Sequence, residues 1–275
     1  MTGPGTQPVS YIYRDDKWGV RAMSARGRMF LYVDEPVGED DGSLEDVLPW
    51  GEMAEKYDPL FLLGDYSGVP KSWVGKKVFK DSCPRSNPDA IAFFHPVVID
   101  KEAKSIEECQ YLSGFQGAIS THSCRQKLEE AVSKLSPAYF FPKDLFWSCD
   151  AEDQTEMRRE YIDLLEETKF PLCPRGKGLN SIRFFEALRL GRIPVLAADE
   201  TKLPLEWMID YDEFVVRVPE KELGLANEYI ERWRHGHRDI KEASAKAQET
   251  SLIYFSNPET LIHFCLKEVH NGKTK

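Results

Sequence analysis

Apolar positions follow two rhythms along this chain. Before residue 100 they come as short runs: Val9–Tyr13, Met29–Val33, Leu60–Leu63, Lys76–Phe79 and Ala90–Phe94, continuing through His95–Ile99. Runs of that length, bounded by Gly, Pro, Asp and Asn, read as buried strands. Helical periodicity is poor in this half. Leu44–Met53 reads as a short helix or two turns broken at Pro49, and acidic Asp34–Asp46 as a surface loop. Beyond residue 110, strand-like runs alternate with helical stripes. His122–Leu135 carries Leu128, Ala131, Val132 and Leu135 on one face. Thr155–Thr168 carries Met157, Tyr161, Leu164 and Leu165. Strands are expected at Ala138–Phe141, Phe170–Cys173, Ile193–Ala197 and Phe214–Val218, and helices at Glu220–Trp233, Ile240–Thr250 and from Pro258 onward. Alternation of this kind predicts a parallel sheet with right-handed crossovers.

The stretch Phe170–Val218 holds the strongest chemical signal. An apolar run stops at Pro174, then Arg175-Gly176-Lys177-Gly178 sets two cations among two glycines. Pro171 inside the run argues against a central strand. Asn180-Ser181 opens a helix, and Gly191 followed by Pro194 closes it. Within that helix Ile182, Phe185 and Leu188 are expected on one stripe, and Arg183 and Glu186 on another face. A strand, a flexible cationic loop and a fresh helix N-terminus make an anion site. The first helical N–H groups lack partners there, and the dipole favours negative charge. The spacing is neither that of a P-loop nor that of the dinucleotide fingerprint, since Ser181 stands where the third glycine would be. The residues alone therefore point to a phosphate or nucleotide site in an α/β domain. An ordinary crossover with solvated arginines is the plainer alternative.

Composition narrows the picture. The chain has 275 residues and a formal net charge of -10, which argues against nucleic acid as a partner. No apolar run approaches the ~18–20 residues of a membrane span. No basic segment followed by an apolar one opens the chain, so a cytoplasmic protein, in a bacterium or a virus-infected host, is expected. Cysteines stand at 83, 109, 124, 149, 173 and 265 without CxxC spacing, so reduced thiols are expected and zinc is not. Asp210-Tyr211-Asp212 reads formally as Asp-x-Asp, but it lies in a turn before a strand, and no metal site is expected of it.

Several linked submotifs carry a family resemblance: Cys173-Pro174-Arg175-Gly176, then Ser181-x-Arg183-x-x-Glu186-Ala187, then Gly191-x-Ile193-Pro194-Val195, then Leu203-Pro204 and Ile209-Asp210-Tyr211-x-x-Phe214. Together they resemble the exostosin-like glycosyltransferases, from about Gly114 to Arg232. Leu179-Asn180 departs from the small residues usual before the serine. The resemblance implies an α/β fold of GT-B type, with two Rossmann-like lobes and a cleft between them. On this chain that gives an acceptor-side lobe over 1–108, ending in a polar linker at Lys101–Glu108. A nucleotide-sugar lobe follows over 109–257, and a helix over 258–275 crosses back. The resemblance also implies transfer from a UDP-sugar to a glycan hydroxyl with inversion, the UDP-sugar being a co-substrate and no other cofactor being needed. Xylose is the favoured sugar, because anchorless relatives build bacterial and viral glycans. Phe115-x-Gly117 with Arg125-x-x-Leu128 matches a further submotif, which implies that Arg125 faces the diphosphate. Arg175, Ser181 and Arg183 match phosphate ligands, and Glu186 the ribose ligand. The base that accepts the acceptor's proton is expected on a first-lobe loop after a strand. Asp65 fits best there, with Asp15, Asp16 and His95 as rivals, and Trp18, Trp50, Trp73 and Trp147 could stack on sugars. A non-catalytic UDP- or glycan-binding subunit is the alternative function. A phosphate-ester hydrolase would need a metal cluster or an activated nucleophile that the sequence does not display near Arg175.

Overall fold

The computed structural model describes residues 10–15, 20–25, 28–34, 60–63 and 78–80, single positions and short pieces between 83 and 99, then 101–143, 151–236, 239–256, 260, 261 and 264. Two sheets carry the fold. The first has six strands in chain order: β1 (Ser10–Asp15), β2 (Val20–Ala25), β3 (Arg28–Asp34), β4 (Leu60–Leu63), β5 (Val78–Lys80) and β6 (Ala90–Ala92). β1, β2 and β3 are antiparallel neighbours, and β3 through β6 run parallel. The apolar pattern did not reveal β2. Val-Arg-Ala-Met-Ser-Ala alternates weakly and is rich in small residues, so its place comes from pairing on both edges rather than from a hydrophobic face of its own.

The second sheet is parallel throughout, in the order β11-β10-β9-β7-β8. Its strands are β7 (Tyr111–Gly117), β8 (Ala138–Pro142), β9 (Thr168–Pro174), β10 (Val195–Ala197) and β11 (Val216–Arg217). Its helices are α1 (Leu128–Ser133), α2 (Ala151–Glu166), α3 (Ile182–Arg189), α4 (Ala226–Gly236) and α5 (Ile240–Tyr254). This is the α/β class that the alternating pattern predicts. Two of the expected helices begin as 3-10 turns, Ser123–Lys127 ahead of α1 and Glu220–Leu225 ahead of α4. Among the described residues no helix is long and apolar enough to cross a membrane.

α3 is the best-buried helix, and its stripe differs from the expected one. Phe184, Phe185, Ala187 and Leu188 are buried, whereas Ile182 is 45% exposed. Ile182 is the first helical residue, where the chain leaves the glycine loop, and the core begins two positions later. Gly191 ends α3 at φ +66. The Arg192 N–H donates to the Ala187 carbonyl at 2.8 Å and the Gly191 N–H to Leu188 at 3.0 Å, the paired bonds of a Schellman stop. α5 lies against α3 through Ala243, Ala247, Thr250 and Ser251, small side chains at helical spacing, and Ser244 Oγ donates to the Gly191 carbonyl at 2.6 Å.

The stretch read as a linker lies along the second sheet's helices. Lys101 pairs with Asp163 and Glu166, and Lys104 with Glu167. Ile99 packs with Leu165, Ala187 and Leu190, and Ile106 enters the main core. Polar composition hid this attachment, because its contacts are ion pairs on a helix that lies far away in sequence. Leu261 is also in the main core, and Phe264 meets Tyr254 with ring centroids 4.9 Å apart. The rest of the expected last helix lies outside the described residues. Cys109, Cys124 and Cys173 are buried free thiols, and Cys83 is buried as well.

Gly114 makes room for a neighbouring ring. A Cβ there would stand 2.2 to 2.5 Å from ring atoms of Tyr139, its partner on β8. That ring is held by stacking on Phe141 and by the Thr168 hydroxyl, which donates to the Tyr139 oxygen at 3.2 Å. Gly114→Ala is expected to cost ~1–3 kcal/mol through overpacking, read as a lower urea midpoint at unchanged slope.

Candidate active site at the divided sheet edge

The second sheet divides at its carboxyl edge. β7 pairs with β9 only as far as Gly114 opposite Pro171. Yet β7 stays paired with β8 to Gly117, and β9 with β10 to Pro174. The crossover from β7 leads to β8 on one side, while that from β9 leads to β10 on the other. A crevice therefore opens between β7 and β9 at a topological switch point, where open α/β sheets take ligands.

A divided sheet leaves main-chain carbonyls facing a gap, and buried carbonyls need donors. Two arginines supply them. Arg183, on α3, donates from Nη2 to the Gln116 carbonyl of β7 and from Nη1 to the Leu172 carbonyl of β9 at 3.3 Å. Farther out, Arg125 donates from Nη1 to Ala118 at 2.7 Å, from Nη2 to Pro174 at 3.2 Å and from Nε to Arg175 at 2.7 Å. Pro174 has no N–H, so the strand could not have continued its own ladder there. The guanidiniums replace two missing rungs. Both lie over the Phe115 ring, Arg183 at 4.2 Å and Arg125 at 5.6 Å from its centroid. Gly117, at φ +145, admits this approach, since a Cβ there would meet Arg183 Nη2 at 3.0 Å.

Positive charge is left over in the crevice. Burial and then the neighbouring Arg183 charge push the Arg125 guanidinium down to about 10. No ion pair with a carboxylate is formed by Arg125, Arg175 or Arg183 among the described residues. Each of the two bridging guanidiniums keeps N–H groups beyond those given to carbonyls. Arg175 turns back on its own loop, bonding the Gly176 and Lys177 carbonyls at 3.3 and 3.1 Å.

The N-terminus of α3 meets the same loop. Ser181 is its buried, extended N-cap residue, but its hydroxyl makes no capping bond. The Asn180 Oδ1 accepts from the Ser181 N–H at 2.7 Å, while Asn180 Nδ2 is buried without a partner. Thr121 Oγ1 is likewise buried and unpartnered, and it would stand 3.6 Å from a Cβ at Gly176. Sequence reasoning missed Thr121 and the unpartnered Asn180 amide, and it named Phe115 in a submotif without the place of its ring beneath the guanidiniums. The Ser120-Thr121 pair just after Gly117 was the available signal.

Glu186 sits apart from these groups. It is 1% exposed and turned to α2, accepting from the Tyr161 hydroxyl and pairing with Arg158 Nη1 at 2.6 Å. Burial and the Glu186 charge hold the Tyr161 phenol well above its usual range, so it stays a donor. Arg183 lies 5.3 Å from the Tyr161 centroid, which joins the two faces of the site. The structure thus brings Arg125, Arg175, Ser181 and Arg183 to one crevice edge, with Glu186 behind them. Asp65, Asp16 and His95 lie outside the described residues, as do Trp18, Trp50, Trp73 and Trp147. Asp15 closes β1. Of the Asp-x-Asp pair, Asp210 Oδ1 accepts from the Asp212 N–H at 3.2 Å, and Asp212 Oδ1 pairs with Arg217 Nε at 3.2 Å. Trp207, 42% exposed, lines a cavity of about 450 Å³ with Arg85, Glu206, Met208 and Arg217.

The bridging geometry separates the arginines by their effect on stability. Arg125→Ala and Arg183→Ala each remove charged bonds and strand partly buried carbonyls, so each is expected to cost ~2–4 kcal/mol. Arg175→Ala breaks bonds within its own loop and is expected to stay within ~0.5 kcal/mol. Urea unfolding of the three variants checks the contrast.

Comparisons with known proteins identify the family of this sheet. The Exostosin GT47 domain model matches residues 79–232, more than half of the chain and all of the divided sheet. Exostosin-1 of Drosophila melanogaster is 40% identical over 73 residues, 26% of this chain and 10% of its own length. The Exostosin-1 homolog of Caenorhabditis elegans is 30% identical over 105 residues, 38% of this chain and 28% of its own. Mouse (Mus musculus) Exostosin-1 is 30% identical over 117 residues, 42% and 15% respectively. The chain therefore spans less than a third of each of these relatives. Among solved structures, TarM aligns over 84% of this chain and 47% of its own at 13% identity, with a TM-score of 0.46. A TarM variant from S. aureus, in complex with fondaparinux, alpha-GlcNAc-glycerol and UDP, aligns over 85% and 48% at 12% identity and a TM-score of 0.43. By the family model that spans its second sheet, this chain belongs to the exostosin GT47 family.

Proposed function

We propose that this chain is an inverting glycosyltransferase that uses a UDP-sugar as donor and a glycan hydroxyl as acceptor. The observation that carries the reading is the surplus positive charge of Arg125 and Arg183 at the switch point, beside the uncapped N-terminus of α3. A diphosphate suits that place. Its oxygens accept from the spare guanidinium N–H groups, from the first amides of α3, and from Asn180 Nδ2, Thr121 Oγ1 and Ser181. Arg175 swings from its own loop to join them. Glu186 takes the ribose hydroxyls in exchange for Arg158, whose side chain is 41% exposed and free to leave.

In this reaction the acceptor oxygen attacks the anomeric carbon on the face opposite the diphosphate. The bond to the diphosphate oxygen breaks and UDP departs with the charge. Fixed cations and helix amides stabilise that charge as it develops, without reorganising. The acceptor's proton goes to a carboxylate base, for which Asp65, just after β4, is the proposed residue. Trp207 and its cavity offer the acceptor a stacking face with charged groups around it. Xylose is the sugar to test first. The commitment of both bridging arginines to main-chain carbonyls also supports a second reading, a subunit that binds UDP or glycan without turnover.

Thermal shift against UDP and a panel of UDP-sugars tests the reading. A true donor at a hundredfold excess over its dissociation constant adds ~2.7 kcal/mol of stability. Slow UDP release from the same sugar marks turnover, and binding without release favours the non-catalytic reading. Arg175→Ala is expected to weaken UDP binding about tenfold at an unchanged melting temperature. No shift with millimolar UDP would overturn the transferase reading and the UDP-binding form of the second.

A further inference from the structure

A second cluster of chemistry-bearing side chains lies beside the crevice, on the 3-10 turn that carries Arg125. His122 and Cys124 stand two residues apart at its start, with His122 Nδ1 3.1 Å from Cys124 Sγ. Glu220 reaches them from the 3-10 turn after β11, its Oε2 4.0 Å from His122 Nδ1. All three ligand atoms lie within 4.8 Å of one another.

The carboxylate is held in place from behind. Glu220 Oε1 accepts from the Asp199 N–H at 3.0 Å, and the Glu220 N–H donates to Asp199 Oδ1 at 3.1 Å. This reciprocal pair fixes one oxygen on the loop after β10 and aims the other at the imidazole and the thiol. Such outer contacts orient ligands in metal sites. Cys124 is buried, while the His122 and Glu220 side chains keep 26% and 19% of their surface. An ion can therefore enter from solvent on one side only.

We propose that His122 Nδ1, Cys124 Sγ and Glu220 Oε2 form a site for one borderline-soft divalent cation of the zinc type, with a fourth position open to water. The donor set decides the class. Thiolate with imidazole selects zinc-like ions, whereas magnesium and calcium want oxygen alone. The two separations from His122 Nδ1, 3.1 Å to the sulfur and 4.0 Å to the carboxylate oxygen, bracket the edge of a tetrahedron built on bonds of about 2.0–2.3 Å. Without an ion, the thiol and the Cys124 N–H share the imidazole nitrogen, the latter at 3.3 Å. On binding, the sulfur–metal bond replaces the S–H bond, the proton passes to solvent, and the imidazole lone pair turns to the ion. Thiolate and carboxylate together balance a charge of two. The ion would staple the loop after β7 to the turn after β11, beside Arg125 rather than in the crevice. The site does not depend on the identity of any sugar donor.

Cobalt(II) titrated into the EDTA-treated full chain, without nucleotide, tests it. The expected result is a thiolate-to-cobalt charge-transfer band that saturates at one equivalent, is bleached by zinc, and accompanies a rise in melting temperature. Cys124→Ser is expected to abolish the band, and Glu220→Gln to weaken cobalt about tenfold or more. Circular dichroism verifies that each variant is folded, and Glu220→Gln, at a partly exposed position, serves if Cys124→Ser is not. Absence of the band, its survival in folded Cys124→Ser, or unchanged affinity in Glu220→Gln would each overturn the proposal.

Discussion

Two guanidinium groups hold together a sheet that its own backbone leaves open. Between β7 and β9 the ladder ends at Gly114 and Pro171, and past that point Arg183 and Arg125 bridge the strands. A hydrogen bond from a charged donor to a carbonyl is stronger than the amide rung it replaces, but it brings a positive charge with it. The division of the sheet and the charge of the crevice are therefore one fact. Phe115 beneath both groups gives that charge an aromatic face to rest on, and Gly117 gives it room.

Much of the second half was legible in the sequence, and the reason is local. Strands and helices there alternate with clean punctuation, so Gly191 marks a helix stop where the structure has it. Arg125, Arg175, Ser181 and Arg183 were named from a motif, and they do meet at one edge. Their first duty was not visible, because main-chain carbonyls are not written in side-chain letters. Pro171 argued against a central strand, yet β9 is central. The Ile193 N–H bonds the Lys169 carbonyl and register with β10 begins at Leu172, so the proline stands just before the β10 ladder and at the last pair of the β7 ladder. Ile182 was expected inside because it fits the stripe by number, but it is the residue where the helix emerges at the crevice.

Other features depended on contacts between distant positions. β2 is recognisable only by its neighbours on either side. Lys101 and Lys104 looked like solvated linker charges until α2 and Glu167 just after it supplied their carboxylates some sixty residues on. Glu220 meets His122 and Cys124 across nearly a hundred positions, so a spacing rule built on CxxC could not find that group. Glu186 was paired with Arg183 by helical arithmetic, and the structure sets Tyr161 between the two roles.

The bridging arginines also constrain what this crevice could become. An ordinary binding residue can be exchanged to suit a new ligand at little risk to the fold. Here the cations are masonry. A variant that traded them for neutral side chains would lose its sheet edge before it gained any new guest, so descent and engineering alike inherit the crevice's charge along with its architecture.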